Sequence, residues 1–248
     1  YSKLKTEITV SLADTNVFNK GTSSFGTMWW GSEEKMIFSS ARKGGVIIDP
    51  LEQNSEFLLD LYWTEIIDST QWGLAHNFGR PLNSAKHDAS GSFNNNNVIF
   101  YTRWSDEDRK EKNIYLARGV ELKFFESYKL DSIVNIPGYQ SINPQVSMDG
   151  TSLFFSSNRP GGEGGMDIWE VRIDEFGNPV NKARNLGPMV NSKFDEVTPF
   201  FHETTSTLFF SSNGHKSIGG LDIFKCSYDR DTKSYSGPIN LGEPINSP

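Results

Sequence analysis

The stretch "SLFFSSNRPGGEGGMDIWEV", residues 152–171, decides the fold because it has an echo 55 residues later in "TLFFSSNGHKSIGGLDIFKC", residues 207–226. Both copies contain a pair of phenylalanines, a glycine-containing loop and then Asp-Ile-aromatic. Phe155 matches Phe210, and Asp167 matches Asp222. Similarity at a fixed spacing is the signature of a chain built from repeated structural units.

Two weaker copies lie upstream, and they extend the repeat over nearly the whole chain. "VIFYTR" supplies Phe100 followed by Asn113, and "MIFSSAR" supplies Phe38 followed by Asp60. The first copy has a longer gap between its Phe and its Asp, which predicts an inserted hairpin within 44–57. Surface hairpins tolerate such changes in length.

A second motif repeats in step with the first, as "NFGRPLNS" at Asn77, "NLGPMVNS" at Asn185 and "NLGEPINS" at Asn240. It marks the passage from one unit to the next. The predicted units are 13–75 with the inserted hairpin, 76–133, 134–188 and 189–242. Residues 243–248 are predicted to lead into a further unit, and residues 1–12 to supply an outer closing strand.

The phenylalanine doublets indicate how the units pack. Neighbouring residues of a strand point to opposite faces of the sheet, so Phe154 and Phe155 face opposite ways, as do Phe209 and Phe210. Burying each ring contributes about 2–3 kcal/mol, so both faces of each sheet are expected to be covered. A propeller blade lies between two neighbouring blades and meets that requirement. The predicted fold is an all-β β-propeller of four-stranded blades, with four complete blades and part of a fifth or more.

The glycine-rich loop is interpreted as a turn rather than a phosphate cradle. A phosphate cradle needs backbone amides at the start of a helix, and a strand follows here instead. Gly164-Gly165 and Gly219-Gly220 are expected to have positive φ angles at the entry to the third strand. The acidic or amide residues that follow are expected to accept hydrogen bonds and fix the turn. These residues are Asp60, Asn113, Asp167 and Asp222.

The segment Pro144–Trp169, "PQVSMDGTSLFFSSNRPGGEGGMDIW", resembles the TolB-like, WD-repeat-like propeller repeat. The fourth unit keeps much of the pattern, and the first two are more eroded. The linker motif is similar to that of propellers in PorE-type, OmpA-family outer-membrane-associated lipoproteins of type IX secretion. This resemblance implies a periplasmic, non-catalytic module that binds other proteins of an outer-membrane assembly, with peptidoglycan contacted only through a flanking domain.

Composition limits the partners. The 248 residues include 24 Lys+Arg and 31 Asp+Glu, and 24 − 31 gives a net charge of −7, which disfavours nucleic acid and anionic membranes. No apolar run is long enough to insert into a membrane. The single cysteine, Cys226, excludes intramolecular disulfides and fits either a cytosolic or a periplasmic protein.

Motifs for chemistry are weak. The four histidines fall in different units with no ligand spacing, and no GxSxG elbow is present. No cofactor, metal site or catalytic residue is therefore predicted. The alternative is a carbohydrate-active propeller, a glycosidase or a sugar-binding protein, with acids converging on the axis. The acids outside the repeat that would serve it are Asp88, Glu163, Asp195 and Glu196.

The predicted function is a rigid scaffold for protein–protein interaction, because a propeller core fixes the frame while its loops vary. The expected partner-binding loops are 44–57, 104–112, 159–165 and 214–220. The candidate partner-binding residues are Trp104, Arg159, Glu163, Asp195, Glu196, His215 and Lys216.

Overall fold

The computed structural model describes residues 8–11, 16–30, 35–46, 57–68, 71–94, 96–105, 107, 111–120 and 123–248. These residues form four antiparallel sheets, which we number as blades 1 to 4 in chain order. Within each sheet the strands follow one another in sequence, as a meander does. The prediction of an all-β chain with four-stranded blades is confirmed.

The strands are given blade by blade. Blade 1 contains β1 (Ser23–Trp30), β2 (Lys35–Ala41), β3 (Leu59–Glu65) and β4 (His76–Asn77). Blade 2 contains β5 (His87–Phe93), β6 (Val98–Trp104), β7 (Asn113–Val120) and β8 (Lys123–Lys129). Blade 3 contains β9 (Ser141–Val146), β10 (Ser152–Ser157), β11 (Asp167–Arg172) and β12 (Arg184–Asn185). Blade 4 contains β13 (Glu196–His202), a 3-10 turn (Glu203–Thr205), β14 (Thr207–Ser212), β15 (Asp222–Asp229) and a two-piece outer strand, β16 (Ser234–Tyr235) and β17 (Ile239–Asn240).

The blade boundaries differ from the prediction at one place. Strand β4 pairs with β3 and so belongs to blade 1, which extends beyond the expected limit at residue 75. Residues 8–11 form no strand, whereas residues 1–7 lie outside the described residues. The predicted insertion within 44–57 also falls mostly outside them, because 47–56 are not described.

The four innermost strands, β1, β5, β9 and β13, surround the propeller axis and line a cavity of about 270 Å³. Each of these strands carries a β-bulge against its neighbour. A residue with positive φ lies in each bulge, namely Gly26, Ser90, Asn143 and Thr198. Because the bulge recurs in every blade, we attribute it to the bending of the inner strand around the axis.

Each pair of consecutive blades shares a hydrophobic core. Phe155 lies between blades 2 and 3 with Val98 and Leu116, whereas Phe154 lies between blades 3 and 4 with Phe210. The expected two-sided burial of this doublet is confirmed. Phe209 is only half-buried, because it faces away from blade 3 on the open side of blade 4.

Strand pairing shows that the matching of the repeats from sequence is wrong by one residue in blade 2. Ser157 pairs with Asp167 and Arg103 pairs with Asn113, so the counterpart of Phe155 is Tyr101 rather than Phe100. Phe100 instead corresponds to Phe154, and both face the following blade. The shift explains why the gap from Phe100 to Asn113 is one residue longer than in the third and fourth units.

The linker motif clamps each blade to the next through an asparagine. The side-chain amide of Asn191 accepts a hydrogen bond from the N–H of Ile168 at 2.8 Å and donates to its carbonyl at 3.0 Å. It thereby pairs with the second residue of β11 as a further strand residue would. The same two bonds join Asn83 to Leu61, Asn135 to Ile114 and Asn246 to Ile223.

We predict that Asn191→Ala lowers the free energy of unfolding by about 2 kcal/mol, because it leaves the buried N–H of Ile168 without its partner and leaves the Ile168 carbonyl with the Leu186 N–H alone. Urea denaturation of the purified chain measures the change. The control is Asn181→Ala, which removes a single exposed hydrogen bond to the Arg172 N–H. Equal losses in the two variants would contradict the clamp.

Candidate protein-docking rim

In a meander of four antiparallel strands, the loop between the second and third strands and the linker to the next blade lie at the same end. We call this end of the propeller the loop rim. Hydrogen bonds interlock its loops and linkers: Gly165 N donates to Phe194 O at 2.9 Å, and Asp195 N donates to Asn213 Oδ1 at 2.9 Å. The rim backbone is therefore one connected framework rather than a set of independent loops.

An aspartate at the start of the third strand holds each rim loop. Asp167 Oδ2 accepts hydrogen bonds from Glu163 N at 2.6 Å and from Asn185 Nδ2 at 2.9 Å. Asp60 and Asp222 make the corresponding pair of bonds. Asn113 takes this position in blade 2, and its Nδ2 donates to Glu111 O at 3.3 Å. Burial raises the pKa of Asp60 and Asp167.

The paired glycines of the rim loops do not have the positive φ angles expected from the sequence. Gly164, Gly165 and Gly219 are required by close approach instead, whereas a Cβ on Gly220 would meet open space. A Cβ on Gly164 would lie 2.3 Å from the backbone carbon of Lys193, and one on Gly219 would lie 2.3 Å from Ser247 O. A side chain at either position would therefore collide with the linker that leaves the same blade.

One basic side chain per blade fastens the rim to the core. Arg42, Arg103, Arg159 and His215 each lie against two aromatic rings of their own blade. Each also contacts a carbonyl of the linker that enters the blade, respectively Phe18, Leu82, Val134 and Val190. We call this arrangement the cation latch. In the three arginines it combines attraction between a guanidinium and aromatic rings with hydrogen bonds to linker carbonyls, whereas His215 makes edge-to-face ring contacts and the same kind of carbonyl contact.

The latch changes the interpretation of two predicted partner-binding residues. Arg159 is 5% exposed, and its guanidinium also reaches Ile133 O, Ser141 Oγ and Ser157 Oγ. Burial lowers its pKa to about 10. His215 Nε2 lies 2.8 Å from Val190 O and 3.5 Å from Glu196 Oε1. Both side chains point into the blade rather than toward a partner.

Two further candidate acids are buried. Asp88 accepts hydrogen bonds from Arg103 Nε at 2.5 Å and from Ser84 Oγ at 2.8 Å. Glu196 accepts hydrogen bonds from the hydroxyls of Ser192 and Ser212, both at 2.7 Å. These carboxylates begin the innermost strands of blades 2 and 4 and tie them to the linkers ahead of them.

The remaining candidates lie nearer the surface. Asp195 Oδ1 accepts a hydrogen bond from Met166 N at 2.8 Å and so joins blade 4 to the loop of blade 3. Trp104 is half-buried, with its ring 5.0 Å from that of His87. Glu163 and Lys216 are the exposed members of the set. The structure therefore does not bring the seven candidates together into one site.

Four exposed apolar side chains at the blade 3–4 sector of the rim were not singled out in the sequence. They are about half exposed, and they are Met189, Phe194, Ile218 and Leu221. None belongs to the repeated framework of aspartates, asparagines and latch residues. The sequence places these apolar residues in turns, but only the fold shows that their side chains point into solvent.

Among the residues that the structure describes, no three His, Cys, Asp or Glu side chains come together in a group that could hold a metal ion. The described residues also contain no helix long and apolar enough to cross a membrane.

Comparisons with known proteins support the propeller fold. No protein-family description and no curated protein matches the sequence. The RS223 β-xylosidase is similar in structure, with a TM-score of 0.54, 13% identity, and coverage of 87% of this chain and 78% of that one. A puromycin-hydrolyzing peptidase from Mycobacterium tuberculosis gives a TM-score of 0.53 and 11% identity over 92% of this chain and 32% of its own.

TolB from Acinetobacter baumannii gives a TM-score of 0.45 and 17% identity over 72% of this chain and 37% of its own. The chain thus spans about a third of the length of the peptidase and of TolB. At these identities, the structures that match well show a shared fold and nothing about activity.

The buried carboxyl of Asp88 makes the stability of the fold depend on pH. Burial raises the pKa of Asp88 to about 6, although Arg103 and Ser84 act in the opposite direction. The pKa of an aspartate in an unfolded chain is about 3.9, so the folded state holds the proton of the Asp88 carboxyl more tightly. The stability that the protonated Asp88 contributes is then complete below about pH 4 and is lost as the pH rises through about 6.

Asp88→Asn removes this titration, so we expect a flatter dependence of Tm on pH between about 4 and 7 than in the wild type. Thermal melts across that range measure it. The matched control is Asp131→Asn, which lies on an exposed turn. Parallel Tm profiles for Asp88→Asn and the wild type would contradict the prediction.

Proposed function

We propose that this chain is a non-catalytic protein-interaction module that binds its partner through the loop rim. The observation that carries the proposal is the set of exposed apolar side chains, Met189, Phe194, Ile218 and Leu221, on a backbone fixed by repeated hydrogen bonds. A rigid frame with apolar anchors binds at low entropic cost, because little has to be ordered on binding.

The state of the candidate acids favours this function over the carbohydrate-active alternative. A glycosidase needs two carboxyl groups free to face a scissile bond. Asp88 and Glu196 are buried and engaged with neighbouring serines, and Asp195 holds the N–H of Met166. Glu163 alone among the four is exposed. This supports a structural role for three of the four acids, so we do not propose a hydrolase.

We also propose where the chain is located in the cell and which assembly it joins. The resemblance of the linker motif supports a periplasmic, outer-membrane-associated setting in which the partners are other proteins, as in the type IX secretion machinery. The excess of acidic residues fits partners that carry a basic surface.

The docking rim can be tested by photo-crosslinking in the native organism. A crosslinking amino acid at Ile218 should give a discrete adduct with one protein, whereas the same group at Lys233, at the opposite end of blade 4, should not. Phe194→Asp should weaken binding of the identified partner by about tenfold or more without changing Tm. Equal crosslinking at both positions, or unchanged binding by Phe194→Asp, would contradict the proposal.

We also propose that the ring contains at least one further blade between blades 4 and 1. The face of each blade that meets the next one is set by strand pairing. Leu61, Ile114 and Ile168 occupy one such position and are all fully buried. Their counterpart in blade 4, Ile223, is 38% exposed.

The facing side of blade 1 supports the same arrangement. Phe93, Val146 and Phe201 lie against the preceding blade and are at most 9% exposed. Trp29 occupies the corresponding position in β1, one residue after strand pairing resumes beyond the bulge. It is 54% exposed. Two apolar faces with the register of a blade-to-blade joint therefore border the same gap, and a further unit of this repeat would cover both.

A substitution in the full-length natural protein tests this arrangement. Ile223→Asp should lower the free energy of unfolding by about 3 kcal/mol if another blade covers the side chain, because a carboxylate would then be buried. Ile218→Asp, on the loop rim, is the control and should cost little. A Tm for Ile223→Asp as close to wild type as that of the control would exclude the extra blade at this face.

A further inference from the structure

A groove of about 160 Å³ lies between blades 3 and 4 at the end opposite the loop rim. Four aromatic rings form a continuous row along its inner side. The ring centroids of Phe154 and Phe201 are 5.5 Å apart, those of Phe201 and Tyr228 are 6.0 Å apart, and those of Tyr228 and Tyr235 are 4.8 Å apart. The groove therefore has an aromatic floor that belongs to the joint between the two blades.

The walls of the groove carry both signs of charge. Asp149, Glu170 and Glu203 contribute carboxylates, whereas Arg172 and Arg230 contribute guanidinium groups. Burial raises the pKa of Glu203, and the nearby Asp149 carboxylate raises it further, while Arg230 acts in the opposite direction.

Glu170 is bonded on both oxygens, to Ser152 Oγ at 3.0 Å and to Arg184 Nη2 at 2.6 Å. Arg230 Nη2 lies 3.3 Å from Glu203 Oε2. The groove thus carries three carboxylates and two guanidinium groups, so groups of both signs are available to a ligand.

The chain fills the corresponding end of the other two joints with its own groups. Between blades 1 and 2, the Phe124 ring packs on Phe78 and Phe93. Between blades 2 and 3, the backbone at Gly177 presses so closely on Leu116 and Phe100 that a Cβ there would lie 2.5 Å from the leucine. At the joint between blades 3 and 4, by contrast, a groove with polar walls is present.

The chemistry of the groove selects among ligands. An anion would meet three carboxylates, and a cation would meet two guanidinium groups, so either would face repulsion at short range. An apolar ligand would remove water from the charged walls and give them no hydrogen bond in exchange. A neutral ligand with many hydroxyl groups can donate to the carboxylates and accept from the arginines, while its C–H face lies on the aromatic row.

We propose that this groove binds one ring of a neutral saccharide. The small volume suits a single pyranose or furanose unit of a longer glycan, with the rest of the chain outside the groove. This site is distinct from the loop rim and does not depend on the proposed docking function. It involves no bond cleavage, because the groove acts only as a recognition site for hydroxyl groups.

Saturation-transfer NMR on the purified protein tests the site with xylobiose, cellobiose and chitobiose as probes. We expect at least one disaccharide to bind, and the double variant Arg172→Gln/Glu203→Gln to weaken that binding by about tenfold or more, since two charge-assisted hydrogen bonds are lost. The matched control is Glu175→Gln/Lys182→Gln, which makes the same charge changes at exposed residues of blade 3.

Three outcomes would overturn the proposal. The first is no binding of any of the three disaccharides to the wild-type protein. The second is equal weakening by the double variant and its control. The third is displacement of the bound sugar by trilysine or by citrate at equal concentration, which would identify the groove as a site for a charged ligand. Melting curves of each variant confirm that it is folded.

Discussion

The structure depends on a hydrogen-bonded joint in which a linker asparagine acts as a substitute strand residue. Asn191 pairs with both backbone groups of Ile168, and Nδ2 also reaches Asn185 Oδ1 at 2.9 Å. Asn185 in turn donates to Asp167, which holds the loop N–H of Glu163. One continuous set of bonds therefore runs from the start of β11, through the linker, to the loop. Most of its members are buried or half-buried, so each bond satisfies a polar group that water reaches poorly.

Local sequence was sufficient to predict the parts of the fold that repeat. The doublet Phe154-Phe155 predicted sheets covered on both faces, and the two rings do lie in different cores. The match failed by one residue in blade 2, where Phe100 was paired with Phe155 although the neighbouring aromatic residue, Tyr101, has the register of Phe155 and lies in a different core from Phe100. Only strand pairing, which fixes the register through backbone hydrogen bonds, could distinguish the two.

The candidate site was less predictable because a sequence does not show the direction of a long side chain. Arg159 lies in a polar, glycine-rich loop, which suggested exposure, yet its guanidinium turns inward over Phe155 and Trp169. The guanidinium can be buried there because it donates hydrogen bonds to the linker carbonyls, which offsets the cost of removing it from water. The apolar rim residues escaped notice for the complementary reason, since an apolar side chain in a turn is recognised as exposed only after the turn has been placed.

The joint between blades 3 and 4 departs from the other joints at both ends, and this bears on where function is located. At the rim end, His215 takes the place that arginine has in the other three blades, and at the opposite end a polar groove replaces apolar filling. Blades are coupled only through their joints, so one joint can change without disturbing the rest of the ring. A repeat protein acquires specificity in this way, by keeping most copies of a joint alike and varying the side chains of one. The exposed apolar residues Met189, Phe194, Ile218 and Leu221 belong to the linker and loop of that same joint and blade, so the proposed docking residues and the groove share one sector of the propeller.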